Sequence, residues 1–158
     1  MMRQEKVRRL PMAISALVAL ALAVIPLPAV LDALRPDFLV LVVFYWSIES
    51  PRAGGLALAF FSGLALDVIN GVVLGQHALA LTLMAAWATH LRLRLRVFSV
   101  LSQSLTIFML LTLYQFVLFW VDGATGNPVT NFGRWIAPVI GGAIWPLLSG
   151  TLNRLRER

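Results

Sequence analysis

The chain has 158 residues, 59% of them hydrophobic and only 13% charged, with a mean hydropathy of +0.85, so lipid rather than a water-excluding core must cover most side chains. A net charge of +6 would suit a nucleic-acid partner, but no nucleic-acid motif accompanies it, and the basic residues lie between apolar blocks, where anionic head groups attract each by roughly 1 kcal/mol. With no cysteine and two histidines, disulfides, thiolate chemistry and cysteine metal sites are excluded.

Six apolar blocks follow in order. The first, Pro11 to Leu31, comes after Arg8 and Arg9; it is longer than a secretory-signal core and no Ala-x-Ala site follows it, so a retained helix is expected over 11–31. The second, Phe38 to Ile48, opens on Arg35-Pro36-Asp37. Pro36 suits the first turn of a helix and Asp37 its positive end, giving a helix over 36–49. The third, Ala53 to Asp67, gives a helix over 53–69, and the fourth, Val72 to Thr89, one over 72–90. The fifth, Val97 to Val121, gives 97–121, and the sixth, Trp135 to Leu152, gives 134–152. A span takes about 20 apolar residues, so blocks one, five and six cross comfortably. Blocks two to four are short, which places them near the centre of the bundle, where protein can surround a tilted or broken helix.

These blocks make an all-α polytopic membrane protein of six transmembrane helices, one integral domain over 1–158. If all six cross, both ends lie on one side. The connections there hold eleven of the thirteen Lys and Arg residues, against Arg35 and Arg134 opposite, which puts both termini in the cytoplasm. Tyr45, Trp46, Trp87, Trp120 and Trp135 fall at block ends, as interfacial anchors do. The one long outer connection, Asp122 to Arg134, is too short for a domain but able to touch a partner.

A four-residue series runs through the third block and beyond it: Gly55, Ala59, Gly63, Asp67, Gly71, Gly75. On a helix these positions form a groove of small residues that admits another backbone, with Asp67 on the same stripe. Asp67 either makes a polar contact holding the connection to His77 or serves as an ion or proton site; Asn70 and Gly71 directly after it favour a helix end. Arg35 and Asp67 share the outer side, which makes a pairing between them a hypothesis beside the plain helix-start reading of Arg35-Pro36-Asp37. His90 to Arg96 alternates Leu and Arg and reads as a basic loop, with Arg92, Arg94 and Arg96 on lipid head groups. A docking site for an acidic cytoplasmic partner is the alternative. Gly141-Gly142-Ala143-Ile144-Trp145-Pro146 predicts close packing and a kink. No GxSxG, Walker A, HExxH or catalytic carboxylate pair is present, so neither an enzyme nor a cofactor or metal is expected.

Taken together, Arg35-Pro36-Asp37 with Tyr45-Trp46, the segment from Gly63 through Asp67, Gly71 and Gly75 to His77, and Trp145-Pro146 resemble the rod shape-determining protein MreD family over essentially the whole chain. His77 stands where many members are expected to carry Arg. The resemblance implies a non-catalytic inner-membrane scaffold of the bacterial elongation machinery. Its partners would be MreC and, through it, the glycosyltransferase RodA, a class B penicillin-binding transpeptidase and MreB filaments. It also implies a fold similar to the substrate-binding subunits of energy-coupling-factor vitamin transporters, so the alternative function is vitamin uptake. Brief outer connections, poor in aromatic and polar groups, favour the scaffold.

Overall fold

A computed structural model describes residues 2–53, 55–126 and 132–157, with side chains for all of these except 2–8 and 53. The basic side chains Arg3, Lys6, Arg8 and Arg158, and the middle of the Asp122 to Arg134 connection, lie outside the described residues. The described chain is all-helical: α1 (Met2–Val24), a short α2 (Ala29–Ala33), α3 (Phe38–Glu49), α4 (Gly55–Asn70), α5 (Gln76–Val97), α6 (Val100–Ala124) and α7 (Ile136–Glu157). Turns of 3-10 helix at Pro51–Ala53 and Phe132–Trp135 lead into α4 and α7. Two stretches, Val100–Ala124 and Phe132–Glu157, are long and apolar enough to cross a bilayer, and Arg9–Val24 and Gly55–Asn70 are shorter apolar helices.

The bundle is organised around α3. Its residues Leu39 to Ile48 are all buried, as expected of a helix that is apolar on every side. At about 1.5 Å per residue its 12 residues reach only ~18 Å, a length that α1, α4, α5 and α7 can enclose. The expectation of a central position therefore holds for this block but not for the third. α4 buries one face, Gly55, Ala59, Ser62, Gly63 and Asp67, and exposes Leu56, Phe60, Phe61, Val68 and Ile69 on the other. Tyr45 and Trp46 are no interfacial anchors either, being 2% and 0% exposed. The Trp46 indole donates 2.8 Å to Ser15 Oγ on α1, and Tyr45 Oη donates 2.6 Å to Asn153 on α7. Trp87 and Trp120 do face outward, at 51% and 66% exposed.

Three boundaries depart from the hydropathy blocks. α1 ends at Val24 because Pro26 and Pro28 remove backbone donors and fix φ, and the chain resumes as the separate α2. Pro36 lies outside α3 rather than in its first turn. Asp37 occupies the N-cap without a side-chain capping bond, its carboxylate being turned toward α6. α5 begins only at Gln76 and then runs 22 residues, through the segment read as a basic loop. There Leu91 and Leu95 are one turn apart and pack inward, Leu95 being 2% exposed, which leaves Arg94 and Arg96 on the solvent side of a continuous helix.

Glycines set the closest approaches. A Cβ at Gly63 would lie 2.5 Å from the Ala78 backbone nitrogen on α5, and one at Gly55 would lie 3.1 Å from Ser47 Cα on α3. Gly142 meets Phe108 and the Ser104 carbonyl on α6 in the same way, at 3.0 and 3.3 Å. α7 continues past Pro146 to Glu157, so the proline does not end the helix.

Because the atoms facing Gly63 are backbone and cannot rotate aside, Gly63→Ala is expected to destabilise the protein by about 1–3 kcal/mol and Gly63→Leu by more. The control, Gly123→Ala, would meet nothing within 4 Å and should be nearly neutral. Thermal melting of detergent-purified variants checks the order; equal melting of Gly63→Leu and wild type would contradict the packing described.

Candidate functional site

The turn between α4 and α5 is built on Asp67, which is fully buried. Its backbone carbonyl accepts from Val72 N at 3.2 Å, and Gly71 N reaches the Val68 carbonyl at 3.4 Å. This is the paired closure of a helix end whose left-handed residue is a glycine, here Gly71 with φ +62°. α5 then starts from Gly75, φ +101°, which has no side chain with which to cap the helix. The Asp67 carboxylate supplies the cap from eight residues upstream. Oδ2 accepts from Gly75 N at 2.8 Å and Ala78 N at 3.5 Å, while Oδ1 accepts from His77 N at 2.8 Å. His77 Nδ1 lies 2.9 Å from Oδ1, so the ring hydrogen-bonds the same oxygen with its proton on Nδ1. One residue thus satisfies orphan groups at the end of one helix and the start of the next, and sets a carboxylate against the positive end of α5.

Of the two readings of Asp67, the polar contact is the one the geometry displays, with backbone N–H groups and one imidazole on its oxygens. It also overturns the Arg35–Asp67 pairing. Arg35 instead donates from Nη1 to the Ala23 carbonyl at 2.8 Å and from Nη2 to that of Ile25, with Asp32 3.6 Å away. It therefore covers the carbonyl end of α1. The small-residue groove is filled from within: Gly55 faces α3 and Gly63 faces α5, Ala59 is fully buried, and Gly71 and Gly75 belong to the turn rather than to the stripe.

A second set of residues at the same end of the bundle includes Asp37, read in the sequence as a helix start, and four partners that the sequence does not single out as site residues. Asp37 Oδ2 accepts from Gln115 Nε2 at 3.0 Å, and Gln115 Oε1 lies 3.4 Å from Arg134 Nε. Arg134 Nη1 pairs with Asp122 at 2.8 Å, and Asp122 in turn accepts from Gln76 Nε2 at 2.5 Å. The chain of bonds joins the starts of α3 and α5 to the far part of α6 and to the turn before α7. Its members are separated by 46 and 78 residues at the longest links, so no local spacing announces them.

The opposite end carries its own cluster. Glu49 Oε2, at the end of α3, accepts from Arg96 of α5 at 3.1 Å and from Arg156 of α7. Arg96 also donates to the Glu49 carbonyl at 3.0 Å. The remaining predicted residues are dispersed: Trp145 is buried with its indole 3.5 Å from Gln103 Oε1, Pro146 lies within α7, and Arg92 and Arg94 make no ion pair among the described residues. No group of three or more His, Asp and Glu side chains that could hold a metal occurs among the described residues.

Polar side chains gathered at two ends, an all-helical bundle with an apolar girth, and at least two helices of spanning length define a helical membrane protein. A family model described as rod shape-determining protein MreD matches residues 4–155, and the chain belongs to that family. The rod shape-determining protein MreD of Haemophilus influenzae (strain Rd) is 27% identical over 141 residues, covering 89% of this chain and 87% of that protein. No solved structure matches.

Removing the shared cap is expected to be costly. Asp67→Ala removes the acceptor of the partly buried Gly75 and His77 N–H groups, at about 1 kcal/mol each, and Asp67→Asn, which keeps one acceptor oxygen, should fall between it and wild type. The folded fraction recovered from membranes measures this; an Ala variant that folds as well as wild type would show that the turn does not need the carboxylate.

Proposed function

We propose that this chain is a non-catalytic scaffold of the bacterial elongation machinery in the inner membrane. Six helices, α1 and α3 to α7, cross the bilayer, with both termini and the Glu49 cluster in the cytoplasm and the Asp67 turn outside. It binds MreC and, through it, acts with RodA, a class B penicillin-binding transpeptidase and MreB in controlling peptidoglycan synthesis and rod shape. The observation that carries the reading is the family match across nearly the whole chain, joined to polar clusters that tie the helix ends to one another.

Because the Gly55–Gly63 groove is closed by α3 and α5, a partner helix has the outward apolar faces to use. Those of α1 and α4, around Leu17 at 64% and Phe61 at 67% exposed, flank a shallow groove floored by Leu39 and Ser62. The basic residues Arg92, Arg94 and Arg96 then lie at the cytoplasmic head groups, on a helix end. A fold similar to energy-coupling-factor substrate-binding subunits is part of this reading, but vitamin uptake has no observation in its favour. The cavity beside Arg35, Pro36 and Asp37 holds about 40 Å³, far under the ~300 Å³ at which small-molecule sites begin.

The test is a mild-detergent pull-down of tagged chain from its own membranes with mass spectrometry of everything recovered. MreC and the wall-synthesis pair are expected. Recovery of two ATPases with a coupling membrane subunit would replace the scaffold by a transporter, and a null strain that keeps its rod shape would remove the role altogether.

A further inference from the structure

At the end of the bundle that carries the termini, α3, α5, α6 and α7 part to leave a pocket of about 240 Å³. Trp145 and Leu95, 4% and 2% exposed, give it apolar wall, and Tyr45, Gln103 and Asn153 add polar atoms. Its charged groups are Glu49, Arg96 and Arg156, the three joined through Glu49 Oε2. Two guanidiniums against one carboxylate leave a formal positive charge in the lining. Arg96 uses Nη2 alone on Glu49, and Arg156 uses Nη1 alone, so other N–H donors of each planar fork remain available for a tetrahedral anion. Glu49 holds the two guanidiniums together, which is the preorganisation that bidentate phosphate recognition requires.

We infer that this pocket is a binding site for the phosphodiester head group of a membrane phospholipid, seated between Arg96 and Arg156. The inference rests on the membrane-embedded reading above, and adds to it a particular site with a wall and a floor. Three features select a lipid among phosphate compounds. The volume lies below the ~300–1,000 Å³ of ordinary ligand sites, enough for a head group and too little for a nucleotide. The helices that carry the pocket also expose Leu101, Leu105 and Leu147, at 81%, 61% and 73%, along which acyl chains can lie. The guanidiniums project from the last turns of α5 and α7, where helix ends meet the head-group layer of a membrane that these helices enter.

Native mass spectrometry tests the site on full-length protein released from nanodiscs of phosphatidylethanolamine and phosphatidylglycerol. Wild type should retain one phospholipid per chain. Arg96→Gln with Arg156→Gln should lower that occupancy at least about tenfold, the scale for losing charge-assisted bonds to an anion. Ser149→Phe, which fills the pocket from α7 and leaves the Glu49 cluster in place, should lower it similarly if melting is unchanged. Arg92→Gln with Arg94→Gln should retain the lipid, and millimolar inorganic phosphate should not displace it. The site is refuted by a wild type without retained lipid, by full occupancy in the pocket variants, or by equal loss in the Arg92 and Arg94 pair, which would signify a diffuse basic surface. Displacement by inorganic phosphate would overturn the lipid as the source of the phosphate. Recovery of MreC is scored separately: lipid without MreC defeats only the scaffold, and MreC without lipid defeats only the site.

Discussion

A helix with glycine at its N-cap has no side chain there to cap it, and α5 follows Gly75 in the left-handed region. The N–H groups of Gly75 and His77 are partly buried and that of Ala78 is buried, so an acceptor has to come from elsewhere in the chain. Asp67 meets that requirement while its own carbonyl closes α4. The consequence runs beyond the turn. With the two helix ends tied to one residue, α4 and α5 leave at a fixed angle, and Gly63 permits their backbones to come together one turn below Asp67. That pair packs on α3, and α3 is the element around which α1 and α7 are arranged. A carboxylate that is costly to bury alone becomes favourable when backbone N–H groups and an imidazole surround it.

How far this was legible in the sequence depends on the range of the interaction. Hydropathy marks every long helix, because each apolar block is a local property, and the Gly63 to His77 segment stands out by the spacing of its small residues and its single acid. What hydropathy misplaces are ends. Val72 to Leu74 continue an apolar run, yet two left-handed glycines cut them out of α5. The Leu and Arg alternation of 91–96 looks unlike a helix until Leu91 and Leu95 are seen as one inward-facing turn. The far-end network of Asp37, Gln115, Arg134, Asp122 and Gln76 has no local signature at all. Each member is an ordinary polar residue near a block end, and only the packing of α3, α5 and α6 brings them together.

Arg35 illustrates the same limit. Charge complementarity and a common side of the membrane are enough to nominate Asp67 as its partner, but they ignore competition. The carbonyls of Ala23, in the last turn of α1, and Ile25, just beyond it, lie 12 and 10 residues away in sequence, and carbonyls at a helix end lack partners within the helix. Asp67, for its part, is already surrounded. Arg35 and Asp67 are thus both engaged at helix ends.

The polar side chains also divide into two groups with α3 between them. Asp37 opens that helix and Glu49 closes it, about 18 Å apart along an axis with no charged residue between. Groups so far separated, with no shared partner, perturb stability independently. The molecule therefore behaves as two latches on one apolar column. Loosening either latch leaves the other engaged, so evolution can retune the surface at one end of the bundle without renegotiating the other.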